Sequence, residues 1–342
     1  MEAITTNVVR IAKPKVLVTG VAGFIGSHLL EALLNRGYKV VGLDNFSTGS
    51  PKNLEEVERK VDKKLFKNFK FIRGSVSNIK DCSDALKDVE VVLHQAALGS
   101  VPRSFAHPLD TNESNVTGFL TLLTLAKNMG VNRFIYASSS SVYGSSPELP
   151  KVEDKVGDVL SPYAATKKMN EMYASVFASN TFETIGLRYF NVFGPRQNPH
   201  GPYSAVIPRW IEALHIDKPL MINGSFNISR DFTHVSNVVE ANLLAMTAPN
   251  LISVNNIYNV SCGDNIPLSE VLANIASHYN FYDKEIRIKM GLYRDGDIMH
   301  SCADITKIRN ELGYEVKTTF SEGIKDTLMW YDEFYNKGRK NV

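Results

Sequence analysis

A phenol and an ammonium stand four residues apart in Ser161-Pro162-Tyr163-Ala164-Ala165-Thr166-Lys167. Residues at i and i+4 share one face of a helix. Serine is a favoured N-cap and proline suits the first helical position, so the spacing predicts a helix that begins just before Tyr163. Free tyrosine ionises near pH ~10, so a phenolate working at neutral pH needs a positive neighbour. Lys167 would supply it, with a smaller contribution from the helix N-terminus. The pair is therefore a candidate general base and its electrostatic partner.

Such a pair acts only on a ligand held against it, and a holder lies upstream. Lys15-Val16-Leu17-Val18-Thr19 is a β-branched run that leads into Gly20-Val21-Ala22-Gly23-Phe24-Ile25-Gly26, followed by a helical pattern from Ser27 to Asn35. Strand, glycine turn and helix, in that order, bring backbone amides to a pyrophosphate at a helix N-terminus. The spacing is Gly-x-x-Gly-x-x-Gly rather than Gly-x-Gly-x-x-Gly, which points to a subset of dinucleotide folds. A second strand, Lys39 to Leu43, ends at Asp44, about where an acid binds the adenosine ribose diol. An aspartate repels a 2′-phosphate, and Asn45-Phe46-Ser47-Thr48-Gly49 holds no arginine to receive one, so the expected cofactor is NAD.

Further strands are expected at Phe69 to Ile72, ending in Gly74-Ser75-Val76, at Val89 to Gln95, ending in Ala96-Ala97, at Arg133 to Ala137, and at Thr184 to Phe190. Small residues at 96 and 97 would serve a cofactor lying on the backbone or a tight helix contact equally well. The fifth strand delivers Ser138-Ser139-Ser140-Ser141-Val142-Tyr143-Gly144 to the carboxyl edge of the sheet, where open α/β sheets bind ligands. Charged Lys52 to Lys67 reads as an exposed helix, Thr111 to Met129 as a helix with apolar residues at helical spacing that ends at Gly130, and Ile286-Arg287-Ile288 as a short strand. The expected fold class is α/β, a doubly wound parallel sheet with a smaller C-terminal lobe. Residues 14–190 would form the dinucleotide domain and 191–342 mainly the lobe, with 231–262 left open to a return of strand and helix to the sheet.

Composition excludes several classes of partner. In 342 residues, 38 Lys+Arg face 36 Asp+Glu, and no basic tract is longer than Lys63-Lys64, so neither nucleic acid nor an anionic membrane is an expected partner. Cys82, Cys262 and Cys302 show no metal-ligand spacing and read as free thiols in a reducing cytoplasm. Met1 to Lys13 does not read as a signal peptide, and no stretch approaches the ~18 apolar residues of a membrane span.

Taken together, the glycine triplet, Asp44, the serine run before Tyr143-Gly144 and Tyr163-x-x-x-Lys167 resemble the extended short-chain dehydrogenase/reductases that act on nucleotide sugars. Within that group the chain is similar to the UDP-galactose 4-epimerase family, and His94-Gln95-Ala96-Ala97-Leu98-Gly99-Ser100-Val101-Pro102-Arg103-Ser104 is similar to its bacterial UDP-N-acetylglucosamine 4-epimerase branch. The resemblance implies a Rossmann sheet with tightly held NAD, a cytoplasmic homodimer through helices at 111–129 and 162–179, and C4 epimerisation of UDP-GlcNAc and UDP-GalNAc through a transient 4-keto sugar.

Carried over residue by residue, the resemblance makes Ser139 the catalytic hydroxyl, Tyr163 the base and Lys167 its partner. It places Gly20, Gly23, Phe24, Ile25, Gly26, Asp44, Asn45, Thr48, Gly49, Ser75, Val76, Gln95, Ala96, Ala97, Tyr163, Lys167, Tyr189 and Val192 against NAD. Gly99, Ser100, Ser139, Ser140, Ser141, Tyr163, Asn191, Ala205, Val206, Arg230, Arg294, Asp297 and Ser301 surround the UDP-sugar, and no residue is assigned to a metal. Guanidinium forks suit a diphosphate. Two departures stand out: Ser75 where many relatives carry aspartate, and Gly224-Ser225-Phe226-Asn227-Ile228-Ser229 in place of a more glycine-rich turn.

Rival readings turn on single positions. Epimerisation of UDP-glucose and UDP-galactose, or of a UDP-N-acetylhexosaminuronate, uses the same groups. A 4,6-dehydratase would carry an Asp-Glu pair directly after the catalytic hydroxyl, where this chain has Ser140 and Ser141. A UDP-glucuronate decarboxylase would carry glutamate at Ser141, and a non-catalytic NAD-binding protein would usually have lost Tyr163 or Lys167.

Overall fold

The structure is a computed structural model that describes residues 13–200, 203–249, 254–279, 286–292 and 299–339. Arg294 and Asp297, and most of the N-terminal stretch read against a signal peptide, lie outside the described residues.

Seven strands, β1 (Val16–Thr19), β2 (Val40–Asp44), β3 (Phe69–Arg73), β4 (Val91–His94), β5 (Arg133–Ser139), β6 (Glu183–Tyr189) and β7 (Asn255–Val260), form one sheet in the order β7-β6-β5-β4-β1-β2-β3. Every pairing is parallel. Strand order reverses between β1 and β4, and a doubly wound sheet opens a crevice at the carboxyl ends of such a pair. The strands read as near-continuous apolar runs because helices cover both faces. Val16, Val18, Leu93, Ile135 and Leu187 pack on one face, and Leu17, Val41, Val92, Phe134 and Tyr136 on the other.

Helices α1 (Phe24–Asn35), α2 (Pro51–Lys60), α3 (Gly118–Asn128) and α4 (Pro162–Phe177) follow strands of the sheet. Beyond β6 the chain builds a separate core around Trp210, Ile211, Ile222, Ile275, Ile324 and Tyr331, which holds α5 (Val206–His215) and α7 (Phe320–Arg339) together. Between these two helices, α6 (Val235–Thr247) packs against α1, and β7 extends the main sheet beside β6.

Three elements differ from the sequence reading. The charged stretch after Lys52 is broken, because Val61 turns extended and buried and Asp62 then caps a second short helix, Lys63–Phe66, by accepting from Lys64 N. The expected strand at 286–288 lies later, at Ile288–Gly291, where it pairs with Leu220–Asn223. The helix expected from Thr111 to Met129 has three parts: Pro108–Asn112, a π-helical turn at Glu113–Thr117, and α3. In the wide turn the Asn115 carboxamide clamps Leu98, accepting from its N–H at 2.7 Å and donating to its carbonyl at 3.1 Å. That clamp holds the loop after β4 over the cleft, the kind of functional placement at which π-turns concentrate.

Candidate active site

The helix that carries the reactive pair begins as its sequence dictates. Ser161 is extended and its hydroxyl accepts from Ala164 N at 3.1 Å, with Pro162 in the first turn. Tyr163 and Lys167 then face β5. The Tyr163 hydroxyl is hydrogen-bonded to Ser139, whose oxygen also accepts from Ser141 N at 3.1 Å. Burial pushes the Tyr163 phenol up from its ordinary value, and the bond to Ser139 opposes that rise. Lys167 is buried, donates to Ala137 O at 2.8 Å, and places Nζ 6.0 Å from the centre of the Tyr163 ring.

Burial lowers the Lys167 ammonium to about 8, with Glu171 opposing the fall. Its folded pKa thus lies below the unfolded value of 10.5, so the folded state binds fewer protons between those limits and stability climbs as pH rises through that window. Below pH 8 the full cost of a buried charge is present. Replacing Lys167 with methionine is expected to stabilise the NAD-free protein by about 1–2 kcal/mol at pH 7, after the lost bond to Ala137, and to give no such gain near pH 10.5. Urea unfolding at the two pH values checks the sign. The same variant should lose turnover.

A cleft of ≈ 690 Å³ runs from the glycine turn to this pair. Gly20 has φ +67 and its missing Cβ would stand 2.9 Å from Ala96 N, so the turn lies directly on the end of β4. A Cβ on Gly26 would fall 2.0 Å from Gly20 O, which lets α1 start hard against the turn. Gly23, the N-cap of α1, offers no side-chain cap, leaving the first helical amides to a ligand. Asp44 accepts from Ala22 N at 2.9 Å and Phe46 N at 2.7 Å. Burial raises its carboxyl and these two amides oppose the rise. A bare glycine cradle with a carboxylate about 20 residues on fits a dinucleotide with a free ribose diol.

Phe24, Ile25, Asn45, Thr48, Ser75, Val76, Gln95, Ala96, Ala97, Tyr189 and Val192 line this cleft with the glycines, Asp44, Tyr163 and Lys167. Gly49 does not; it packs against the Ala22 backbone. Ser139 and Ser140 reach the cleft, whereas Ser141 turns inward and its hydroxyl is buried without a partner. A second chamber of ≈ 610 Å³ continues the cleft and shares Thr48, Gly99, Ser100, Asn191, Val192 and Gln197 with the first. Ala205, Val206 and Arg230 line it. Ala205 is the N-cap of α5 and supplies no side-chain cap, and Arg230 is anchored through Nη1 to the carbonyls of Ser229 and Met299, both at 3.0 Å. Helix amides and a guanidinium in one chamber can hold a diphosphate. Ser301 lies behind this wall, with its hydroxyl accepting from Asn191 Nδ2 at 3.4 Å.

Several groups at the site escaped the sequence reading. Asn242 of α6 donates to the Tyr189 hydroxyl at 2.8 Å and accepts from Gln95 Nε2 at 3.2 Å, so it orients two cofactor-side groups from far along the chain. Gln197 lines both chambers. Glu171, one turn beyond Lys167, accepts from Ser138 Oγ at 2.7 Å and from Arg188 at 2.8 and 2.9 Å. A carboxylate on the buried face of α4 and an arginine inside β6 were the available signals.

Residues 16–261 match the model of the NAD dependent epimerase/dehydratase family. The chain belongs to that family. It is therefore an NAD-dependent enzyme of the extended short-chain type, and its relatives include UDP-sugar 4-epimerases and a UDP-N-acetyl-alpha-D-glucosaminuronate decarboxylase. Its fold superposes with TM-score 0.85 on a UDP-N-acetylglucosamine 4-epimerase from Methanobrevibacter ruminantium M1, solved with UDP-N-acetylmuramic acid, at 34% identity over 95% of this chain and 100% of that one. A UDP-glucuronic acid 4-epimerase from Bacillus cereus, solved with UDP-glucuronic acid and NAD, gives TM-score 0.84 at 31% identity over 94% and 100%. A UDP-glucose 4-epimerase of Mycolicibacterium smegmatis is 33% identical over 93% of this chain and 98% of its own length. Among the described residues no helix is long and apolar enough to cross a membrane.

Proposed function

We propose that this protein interconverts UDP-N-acetylglucosamine and UDP-N-acetylgalactosamine by inversion at C4. The observation that carries this reading is a small side chain, Ser301, which lines neither chamber itself but stands directly behind Asn191, a residue that lines both. By the family correspondence that position lies beside the sugar's C2, and serine leaves room for an acetamido group. The 34% identical neighbour named for UDP-N-acetylglucosamine supports it.

In the proposed reaction NAD, held by the glycine turn and Asp44, would supply the hydride acceptor for C4 and the donor that restores it. Tyr163 takes the proton of the 4-hydroxyl, Ser139 shares that proton through its hydrogen bond, and a Lys167 ammonium 6.0 Å from the ring centre favours the phenolate. The second chamber would hold the nucleotide while the 4-keto sugar turns about its bond to the diphosphate. Hydride returned to the opposite face would invert C4. The 4,6-dehydratase and decarboxylase readings fare worse, since serines stand where their acid and base would be and Ser141 points away from the cleft. A UDP-N-acetylhexosaminuronate is the second reading, favoured by Arg103, which lines the second chamber with its guanidinium 4.8 Å from the Tyr203 ring centre.

Ser301→Tyr tests the substrate directly. It should remove most of kcat/KM on N-acetylated substrates and spare UDP-glucose and UDP-galactose, because overpacking penalises only the ligand that needs the room. Equal losses on both types would place selectivity elsewhere.

We further propose a homodimer through α4. Met169, Met172, Tyr173 and Val176 are exposed at i, i+3, i+4 and i+7 of that helix, an apolar stripe of the kind that packs against another helix. A Met172→Glu, Val176→Glu double variant should sediment as a monomer, and an unchanged sedimentation coefficient would exclude this face.

A further inference from the structure

We infer that Arg196 is a positioning residue, a latch that ties the C-terminal lobe to the cofactor half of the molecule and keeps the substrate wall of the cleft in register with the reacting pair. The inference rests on the proposed epimerisation for its kinetic consequence, and on contacts alone for its existence.

Arg196 has φ 63, a left-handed conformation that a non-glycine residue keeps only where its surroundings demand it. Its side chain is fully buried, an expensive place for a guanidinium unless it is paired. Nε donates to Glu56 Oε1 of α2 at 3.0 Å, and Nη2 pairs with the Glu31 carboxylate of α1. Burial pushes the Glu56 carboxyl up, and Arg196 with Lys60 more than reverses this, holding it near 2. The lobe joins the same cluster through α7: Trp330 Nε1 donates to Glu56 Oε2 at 3.2 Å, and the Tyr331 hydroxyl donates to the carbonyl of Gln197. His28 of α1 adds a bond between Nε2 and Pro195 O at 2.9 Å.

Helices α1 and α2 thus meet on the Arg196 side chain, and α7 joins them through Glu56 and the Gln197 carbonyl. The elements on the cofactor side include α1, whose N-terminus starts at the glycine turn, so the latch is referenced to the dinucleotide cradle. On the other side Gln197, the residue after Arg196, and Asn191, five before Arg196, line both chambers. Without the guanidinium, two carboxylates are left facing the loop, and Gln197 and Asn191 lose their reference to the cofactor half. A reacting centre displaced by even ~1 Å is costly, of the order of 10²-fold in rate. A loosened wall would also release the 4-keto sugar before hydride returns to it. Each such escape leaves one reduced nicotinamide per ketone lost, with the proton of the former 4-hydroxyl passing through Tyr163 to solvent.

The test uses the full NAD-loaded protein. Arg196→Met should retain NAD, raise KM for the UDP-sugar about tenfold, and build up the near-ultraviolet absorbance of reduced nicotinamide during turnover, which a structural defect alone would not produce. Glu56→Gln should show the same pattern more weakly, and the double variant should be no worse than Arg196→Met. If Arg196→Met does not fold, Glu56→Gln carries the test with the same outcomes. Unchanged KM and no reduced cofactor, in a preparation whose wild type interconverts the sugars, would overturn the latch and leave the proposed function standing. Should the wild type interconvert no UDP-sugar, the function fails and calorimetry with UDP decides the latch: affinity weakened about tenfold supports it, and unchanged affinity overturns it.

Discussion

Tyr163→Phe is expected to keep the fold and the bound NAD and to lower kcat by about 10²–10⁴-fold, the range for losing a positioned acid–base group. The substitution removes one oxygen from a ring already packed against β5, so no cavity forms, and the bond it breaks is the one to Ser139. Ser139 keeps its contact with Ser141 N and Lys167 keeps Ala137 O, leaving the remainder of the site in place. Proton transfer is the only function removed. A variant that retains more than about a tenth of wild-type kcat, a change below ~1.4 kcal/mol, would exclude Tyr163 as the obligatory base.

The second large effect is on stability. Glu171→Ala is expected to cost about 3–5 kcal/mol of unfolding free energy, because it strands Arg188 inside the sheet. Arg188 is 1% exposed, and its Nε and Nη2 both bond Glu171, while Nη1 donates to Glu153 O at 2.8 Å. Burial would lower its pKa, and Glu171 more than offsets this and holds the guanidinium well above its ordinary value. The variant also deprives Ser138 of its acceptor and Lys167 of the carboxylate that opposes its neutralisation. A Glu171→Leu, Arg188→Met double variant should be less damaged than either single one, since it leaves no unpaired buried charge. Urea midpoints measure this cycle. A single-variant loss under about 1 kcal/mol would show that water reaches the pair.

What could be read from the sequence was local. The strand, glycine turn and helix at 15–35 and the capped Tyr163–Lys167 helix are each decided locally, by β-branching, by close backbone approaches and a left-handed turn that glycine accommodates without strain, and by a serine followed by proline. Periodicity does not report the π-helical turn at Glu113–Thr117, because its cause is the distant backbone of Leu98. Nor does it report Asn242 beside Tyr189, or Arg196 between Glu31 and Glu56, contacts that exist only once the chain has folded back across more than a hundred residues or, for Asn242, more than fifty. Gly49 and Ser141 show the converse error: both belong to motifs that reach the site, yet their own atoms pack inward.

The most direct measurement is chromatographic. The purified protein, with no NAD added, is incubated separately with UDP-N-acetylglucosamine, UDP-glucose and UDP-glucuronic acid, and the products are resolved. The proposed function predicts that UDP-N-acetylgalactosamine appears from the first, faster than either other epimer forms, and that denaturation of the protein releases NAD. Conversion of UDP-glucuronic acid alone, or no epimer from any of the three, would contradict it.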